Sequence, residues 1–203
     1  HRVELVGATR GYFHLGAAPL TWANWMKALL AGRGFVTNGP LIEFTANKGV
    51  MPGEEISLPA AGGSVSFQAT VSTAAPIKRV ELVSNGVVVH GVEVPEGAQT
   101  VNFAHTIQAA NSGWYSLRAV GAERTFPVEN SRPLAVTNPI YVMVGGQPIR
   151  DRASAEYFVK WIDTLTEMAT PHPGWRSEKE KAHVLGQFRE ARDIFVARAA
   201  EAR

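Results

Sequence analysis

The chain has 203 residues, enough for one substantial core or for a sandwich of about 100 residues with a helical appendage. Apolar residues make up 45% and charged residues 19%, which is typical of a soluble globular protein, and no apolar run approaches a membrane span. A net charge of +2 gives no basic surface for nucleic acid, and the absence of cysteine excludes disulfides and thiolate metal sites. No signal peptide is visible, which leaves the compartment open between cytoplasm and periplasm.

Residues 1–38 combine short strand-like runs with one helix. The chain opens on a histidine and passes at once into Arg2-Val3-Glu4-Leu5-Val6, which is typical of the middle of a strand, so we expect it to be cut from something longer. Thr21 as N-cap and Gly32 after the last turn predict a helix over 21–31. Because its apolar face is broad, this helix should pack against something large. The face comprises Trp22, Trp25, Met26, Leu29 and Leu30.

Residues 39–146 change to a period of two, which predicts half-buried strands of an immunoglobulin-like β-sandwich. Asn85-Gly86 predicts a hairpin, because both residues accept the positive φ of a type I′ turn. Tyr115 precedes Leu117 by two positions, as in a tyrosine corner, so we expect a core ring and a hydroxyl bonded to nearby backbone; a strand that merely contains tyrosine is the alternative. The alternating apolar positions are Val65, Phe67, Ala69, Val71, Val101, Phe103, His105 and Ile107.

Residues 147–203 predict a hairpin of two helices. Asp151 is the expected N-cap of the first helix, and Ser177 with Glu180 forms a capping box for the second. The first helix has an apolar stripe of Tyr157, Phe158, Trp161, Ile162, Leu165 and Met168. The expected buried face of the second is Val184, Leu185, Phe188, Ala191, Ile194 and Phe195. The predicted fold class is therefore mainly β, a sandwich with an N-terminal strand and helix segment and a C-terminal helical pair.

No pattern assigns a catalytic, cofactor-binding or metal-ligating residue. The histidines at positions 1, 14, 90, 105, 172 and 183 never form pairs such as HxH or HExxH, although ligands could converge from distant strands. His105 is interpreted as an imidazole at the edge of the core, and His172 and His183 as solvated surface. No serine lies in a GxSxG elbow, and residues 32–37 depart from GxGxxG at their last position. We do not expect enzymatic activity from this chain alone.

Two pairs of adjacent residues are interpreted as structural: Glu54 with Glu55, and Trp114 with Tyr115. Glu54 and Glu55 are adjacent, so on a strand they point to opposite faces and cannot share a proton; we interpret them as solubilising a turn. Trp114 and Tyr115 could stack on a sugar from one sheet face, but core packing or helix docking is the favoured interpretation.

The stretch 22–42, WANWMKALLAGRGFVTNGPLI, resembles a hallmark of the CehA/McbA branch of the PHP metallohydrolases. In that family the segment joins a metal-binding barrel to a C-terminal domain. Shorter likenesses occur at residues 52–54, 79–86, 112–119, 138–142 and 157–163. The resemblance runs from about Tyr12 to the end of the chain.

The resemblance implies an upstream barrel whose His and Asp ligands hold divalent metals that activate water for hydrolysis of phosphoester, ester or carbamate-like substrates. Residues 1–38 would then end that barrel domain, and this chain would be a non-catalytic accessory region shaping or covering its active site. The family's His-x-His and Asp-x-His motifs are missing here, and His14 is not carried over as a ligand. The implied partner is the missing barrel, or a second copy bound through the 21–31 helix, with no nucleic acid and no membrane.

Two alternatives remain open. The chain could be a stand-alone immunoglobulin-like module that binds a glycan or a protein through a sheet face or edge loops. It could also be an enzyme with a dispersed site. A freestanding module should not begin in the middle of a strand and continue into an apolar helix, which favours the accessory-region hypothesis.

Overall fold

A computed structural model describes residues 6–124, 128 and 132–202, and the chain divides into two compact units, His1–Ile149 and Arg150–Arg203. The strands of the first unit are β1 Arg10–Phe13, β2 Gly34–Thr37, β3 Leu41–Ala46, β4 Glu55–Leu58, β5 Gly63–Ser72, β6 Arg79–Ser84, β7 Val87–Glu93, β8 Thr100–Ala109, β9 Gly113–Val120, β10 Leu134–Thr137 and β11 Ile140–Val144. Its helix, α1, is Trp22–Leu30. The second unit contains α2, Arg152–Ala169, and α3, Glu178–Glu201.

The strands of the first unit form two sheets. In the larger sheet, β9 pairs with β6 on one edge and with β10 and then β11 on the other, and β7 continues beyond β6. β2 and then β1 extend it antiparallel from β10, while β4 pairs parallel with β11. The smaller sheet is antiparallel, in the order β3-β5-β8. Two sheets in this strand order make an immunoglobulin-like sandwich, so the predicted fold class is confirmed.

The core lies between the two sheets and is centred on Phe67. Its ring stacks on Phe44 with centroids 5.8 Å apart and meets Tyr115 at 5.0 Å. Every second residue of β5 is buried from Val65 to Val71, as the alternation predicts. Along the paired strand β8, Val101 and Phe103 are also buried, whereas His105 and Ile107 are half-buried.

The sequence predicts a hairpin at Asn85-Gly86 and a core position for the Tyr115 ring. Asn85 and Gly86 have φ of 47° and 86° and join β6 to β7, so the hairpin prediction is confirmed. Tyr115 is 7% exposed and its ring lies in the core, as expected. Its hydroxyl makes no hydrogen bond to any residue the structure describes, so the bond expected of a tyrosine corner is not found there.

The predicted boundary near residue 38 falls inside the first compact unit. Val36 of β2 pairs with Val136 of β10, so the segment before residue 38 is continuous with the larger sheet. Its assignment to the end of a barrel remains a prediction. The strand expected at Arg2-Val3-Glu4-Leu5 lies outside the described residues. The second predicted boundary, before residue 147, is close to the division between the units after Ile149.

The second unit is a helical hairpin whose two N-caps are those predicted. Asp151 Oδ1 accepts a hydrogen bond from Ser154 N at 2.6 Å, and Ser177 Oγ accepts one from Glu180 N at 3.1 Å. The two helices meet where Phe158 stacks on Phe195, with ring centroids 4.8 Å apart. The contact is reinforced by an ion pair between α2 and α3, from Arg192 to Asp163 at 2.7 Å.

The predicted apolar stripes of this hairpin are only partly covered. On α2, Ile162 is buried and Phe158 is half-buried. The other residues of the stripe are exposed: Tyr157, Trp161, Leu165 and Met168. On α3 the residues of the predicted buried face are half-buried, with one exception. Ile194 is exposed, so its assignment to the buried face was wrong. The physical reason is that one neighbouring helix covers only a stripe of its partner.

Candidate interaction surface

Three separate segments that carry the family resemblance meet at one junction. Gly53 has φ of +85°, and its N–H donates to the Pro139 carbonyl at 2.8 Å. A Cβ built on Gly53 would lie 2.0 Å from the Ala31 carbonyl oxygen, so only glycine lets the backbone approach the end of α1 this closely. Asn138 N donates to the Gly34 carbonyl at 2.9 Å, which ties the same junction to β2.

An ion pair spans this junction. Arg33 Nη2 lies 3.4 Å from Glu54 Oε1, and the other carboxylate oxygen of Glu54 accepts from Met51 N at 3.0 Å. Glu54 therefore orders the turn and links it to the end of α1, which corrects its interpretation as merely solubilising. The neighbouring Glu55 faces elsewhere and accepts from Ser57 Oγ at 3.1 Å. Glu54 lies in the turn before β4 and Glu55 is the first residue of β4, and the two carboxylates have different hydrogen-bond partners.

The turn after β2 is held by polar side chains of the same segment. Thr37 is buried and its hydroxyl donates to the Pro40 carbonyl, while Gly39 N donates back to Thr37 Oγ1 at 2.9 Å. Asn38 Oδ1 accepts from Leu134 N at 2.7 Å. Residues 37–40, Thr-Asn-Gly-Pro, thus hold β2 against β10 and determine where β3 begins.

α1 begins and ends as the sequence predicts. Thr21 Oγ1 accepts from Asn24 N at 3.3 Å, and Gly32 follows the helix with φ of +69°. Trp25 packs edge-on against Phe13 of β1, with ring centroids 5.4 Å apart. α1 therefore packs through Trp25 on the antiparallel pair of β1 and β2, which we call the β1–β2 ribbon. Ala28 is the buried residue of this helix.

Three apolar side chains at α1 are uncovered: Leu20, just before the N-cap, and Trp22 and Leu30 of the helix itself, which together we call the uncovered apolar face. These side chains are 83%, 75% and 82% exposed. Trp22 stacks on Trp25 at 5.6 Å, so its ring is held in place although one side of it is open to solvent. The expectation that part of this helix surface would be exposed is confirmed. Large apolar side chains left exposed around one helix are typical of a contact surface.

The remaining candidate residues belong to other elements of the chain than α1. His105 is half-buried and stacks on His90, a contact that sequence analysis missed because the two residues belong to different sheets. His172 and His183 are exposed on the helical hairpin, as expected. Trp114 is half-buried on β9 beside the buried Tyr115.

Among the residues that the structure describes, no group of three or more His, Asp or Glu side chains is placed to hold a metal ion. Within the same residues, no helix combines the length and apolarity needed to cross a bilayer.

Comparison with known proteins gives one distant likeness. No family model matches the chain, and no curated protein matches it either. Among solved structures it is similar to the fibronectin(III)-like modules of CbhA from Clostridium thermocellum, with 17% identity and a TM-score of 0.33, over 53% of this chain and 100% of that one. The fold assignment rests on the strand order described above.

Proposed function

We propose that this chain is the non-catalytic C-terminal region of a metal-dependent hydrolase of the CehA/McbA branch of the PHP family. In such a protein an upstream barrel holds divalent metals that activate water and polarise a phosphoester, ester or carbamate-like bond. The sandwich would shape or cover the mouth of that site. α1 would lie at the junction between barrel and sandwich.

The observation that carries this proposal is the uncovered apolar face of α1, which directly precedes the part of the chain with the most specific resemblance, residues 32–41. Fully burying one large apolar side chain contributes about 1.5–3 kcal/mol, so Leu20, Trp22 and Leu30 could together stabilise a domain contact. The Gly53 junction and the Arg33–Glu54 pair would hold α1 in a fixed orientation on the sandwich. A rigid mount of this kind suits a surface that docks a second domain.

The upstream reading frame tests the proposal directly. We expect about 200 or more preceding residues that carry His-x-His and Asp-x-His, the size of a further domain. The longer protein should bind divalent metal and hydrolyse a test ester such as bis(p-nitrophenyl) phosphate, whereas this chain alone should not. A longer frame without those motifs would contradict the proposal.

A variant in α1 tests the role of the apolar face. In the longer protein, Trp22→Ser should lower the thermal midpoint and open the junction to proteases, while Trp161→Ser on the exposed side of α2 serves as the control. In this chain alone the face is free for a second copy, so sedimentation should show a dimer that Trp22→Ser dissociates. A stand-alone binding module predicts that neither measurement responds to Trp22→Ser.

A further inference from the structure

A groove runs along the open edge of the smaller sheet. That sheet ends at β3, whereas the β1–β2 ribbon extends the larger sheet past it. Two adjoining cavities of about 430 Å³ and 260 Å³ lie between the ribbon and β3, and both are lined by Tyr12, Phe35, Ile42 and Glu43. The larger one is in the range of sites that hold ligands, about 300–1,000 Å³.

The backbone of β3 has groups on the groove side that bond to no residue the structure describes. Hydrogen-bonded and non-bonded residue pairs alternate in antiparallel strands, and Asn47 N donates to β5 at 2.7 Å, so the odd-numbered residues of β3 face β5. Ala46 confirms the direction of the even-numbered ones, because it bonds Val50 on the other side at 2.8 Å. The N–H and C=O groups of Ile42 and Phe44 point the same way, and none of them bonds to a described residue.

The opposite wall of the groove is an aromatic pair, of which Phe35 also packs against the core. Tyr12 and Phe35 stack with ring centroids 5.2 Å apart, and Tyr12 remains 40% exposed. Buried strands rarely keep unpaired backbone groups, and the exposed Tyr12 ring leaves a large apolar surface open to solvent. One extended chain, lying beside β3 and beneath the ribbon, would satisfy both.

We propose that this groove binds an extended peptide segment of a partner protein, which adds to the smaller sheet as a strand beside β3. Its backbone pairs with Ile42 and Phe44, and its inward side chains are apolar and contact Tyr12 and Phe35. The Glu43 carboxylate lines both cavities and forms no ion pair with a described residue. A lysine or arginine on the outward side of the peptide complements that charge.

A second copy of the chain does not fit this edge. Tyr12 and Phe35 of its own ribbon line the same cavities as its own β3, so two β3 edges would have to meet with both ribbons in between. A flexible extended segment has no such overhang and can enter along the groove. The occupant is therefore a linear segment of another polypeptide.

The test uses the intact chain with blocked peptides six residues long, the length of β3. The panel alternates valine, isoleucine or leucine with threonine, with one threonine replaced by lysine in half of the peptides. We expect saturable binding with Kd below about 1 mM and amide shifts confined to β3 and the ribbon. The lysine peptides should bind more tightly at low salt. Absence of saturable binding across the panel would overturn the proposal.

Methylation of the peptide nitrogens separates strand addition from binding through side chains. Methyl groups on one alternating set of nitrogens should weaken binding at least about tenfold, because those N–H groups pair with β3, while the other set should have little effect. Equal effects of the two sets would show that no strand is added. This comparison needs no protein variant, so it does not depend on how any substitution folds.

Matched variants test the two walls of the groove. Tyr12→Ser should weaken all peptides, whereas Tyr141→Ser, on β11 and 38% exposed, should not. Glu43→Gln should remove only the advantage of the lysine peptides, with the exposed Glu96→Gln as control. A dimer that Tyr12→Ser dissociates would identify a second copy as the occupant and reject the proposal. Because only this chain is used, the outcome is independent of any upstream barrel.

Discussion

The imidazole rings of His90 and His105 stack face to face, with centroids 3.8 Å apart and planes inclined by 5°. His90 lies on β7, at the edge of the larger sheet, and His105 on β8, at the edge of the smaller one. The pair therefore bridges the two sheets along one side of the sandwich. Two stacked imidazoles make a good contact when neutral and repel when both are protonated.

This contact predicts that the fold loses stability in mild acid. Burial and, second, the neighbouring His90 lower the pKa of His105 from its usual 6.5. The folded state thus favours the neutral ring, and the stabilisation is present above the unfolded pKa and lost as the pH falls through the folded one. We expect the urea midpoint to fall between about pH 7 and about pH 5.5, where histidine titrates.

His105→Gln should flatten this pH dependence. His183→Gln, at an exposed position on α3, is the control and should leave the slope unchanged. Imidazole resonances followed by NMR should show a pKa for His105 below its usual 6.5. Equal slopes for both variants would assign the acid sensitivity to other groups.

The Tyr115 ring, rather than its hydroxyl, should account for the contribution of this residue to stability. Because the hydroxyl makes no bond to a described residue, Tyr115→Phe should change the free energy of unfolding by less than about 0.5 kcal/mol, below the value of a typical hydrogen bond. Tyr115→Ala should cost about 3–5 kcal/mol, since it leaves a cavity against Phe67. Denaturant titration measures both, and a loss of about 1 kcal/mol for Tyr115→Phe would restore the tyrosine-corner bond.

The features predicted correctly from sequence are local ones. The caps at Thr21, Asp151 and Ser177 depend on residues within one turn of the chain, and the Asn85-Gly86 hairpin on the φ angles of two residues. The burial alternation of β5 follows from the geometry of a single strand.

The features that sequence analysis missed depend on long-range pairing. The pairing of Val36 with Val136, the stacking of His90 on His105 and the groove beside β3 all depend on which strands become neighbours. The exposed half of the α2 stripe was missed because an apolar pattern does not state how many partners cover it. The tertiary topology determines all four features, and short sequence patterns do not show which strands and helices become neighbours.

The ion pair of Glu81 with Arg118 should be worth more than the exposed pairs of this chain. Glu81 is buried on β6, and Arg118 donates to its Oε2 from Nε at 2.8 Å and from Nη2 at 2.6 Å. Arg118→Ala should cost about 1.5–3 kcal/mol, because it removes two charge-assisted bonds from a buried carboxylate. The control is Arg33→Ala, whose pair with Glu54 is nearly half exposed and should cost less than about 1 kcal/mol. Equal losses would mean that Arg79, 3.4 Å from Glu81, compensates.

The junction at Gly53 predicts a large difference between two glycines of similar backbone conformation. Gly53 and Gly97 have φ of +85° and +78°, so alanine at either position is strained by about 1–2 kcal/mol. At Gly97 nothing lies within 4 Å of the added methyl, whereas at Gly53 the methyl would lie 2.0 Å from the Ala31 carbonyl oxygen. Gly53→Ala must therefore push the end of α1 away from the sandwich and should cost well over about 3 kcal/mol, among the largest losses seen for single substitutions. Urea titration of both variants, with Trp fluorescence following the Trp22 and Trp25 environment, measures the difference. If Gly53→Ala lost no more stability than Gly97→Ala, the close approach of the Gly53 turn to Ala31 would not exist in solution. α1 would then have no fixed position on the sandwich.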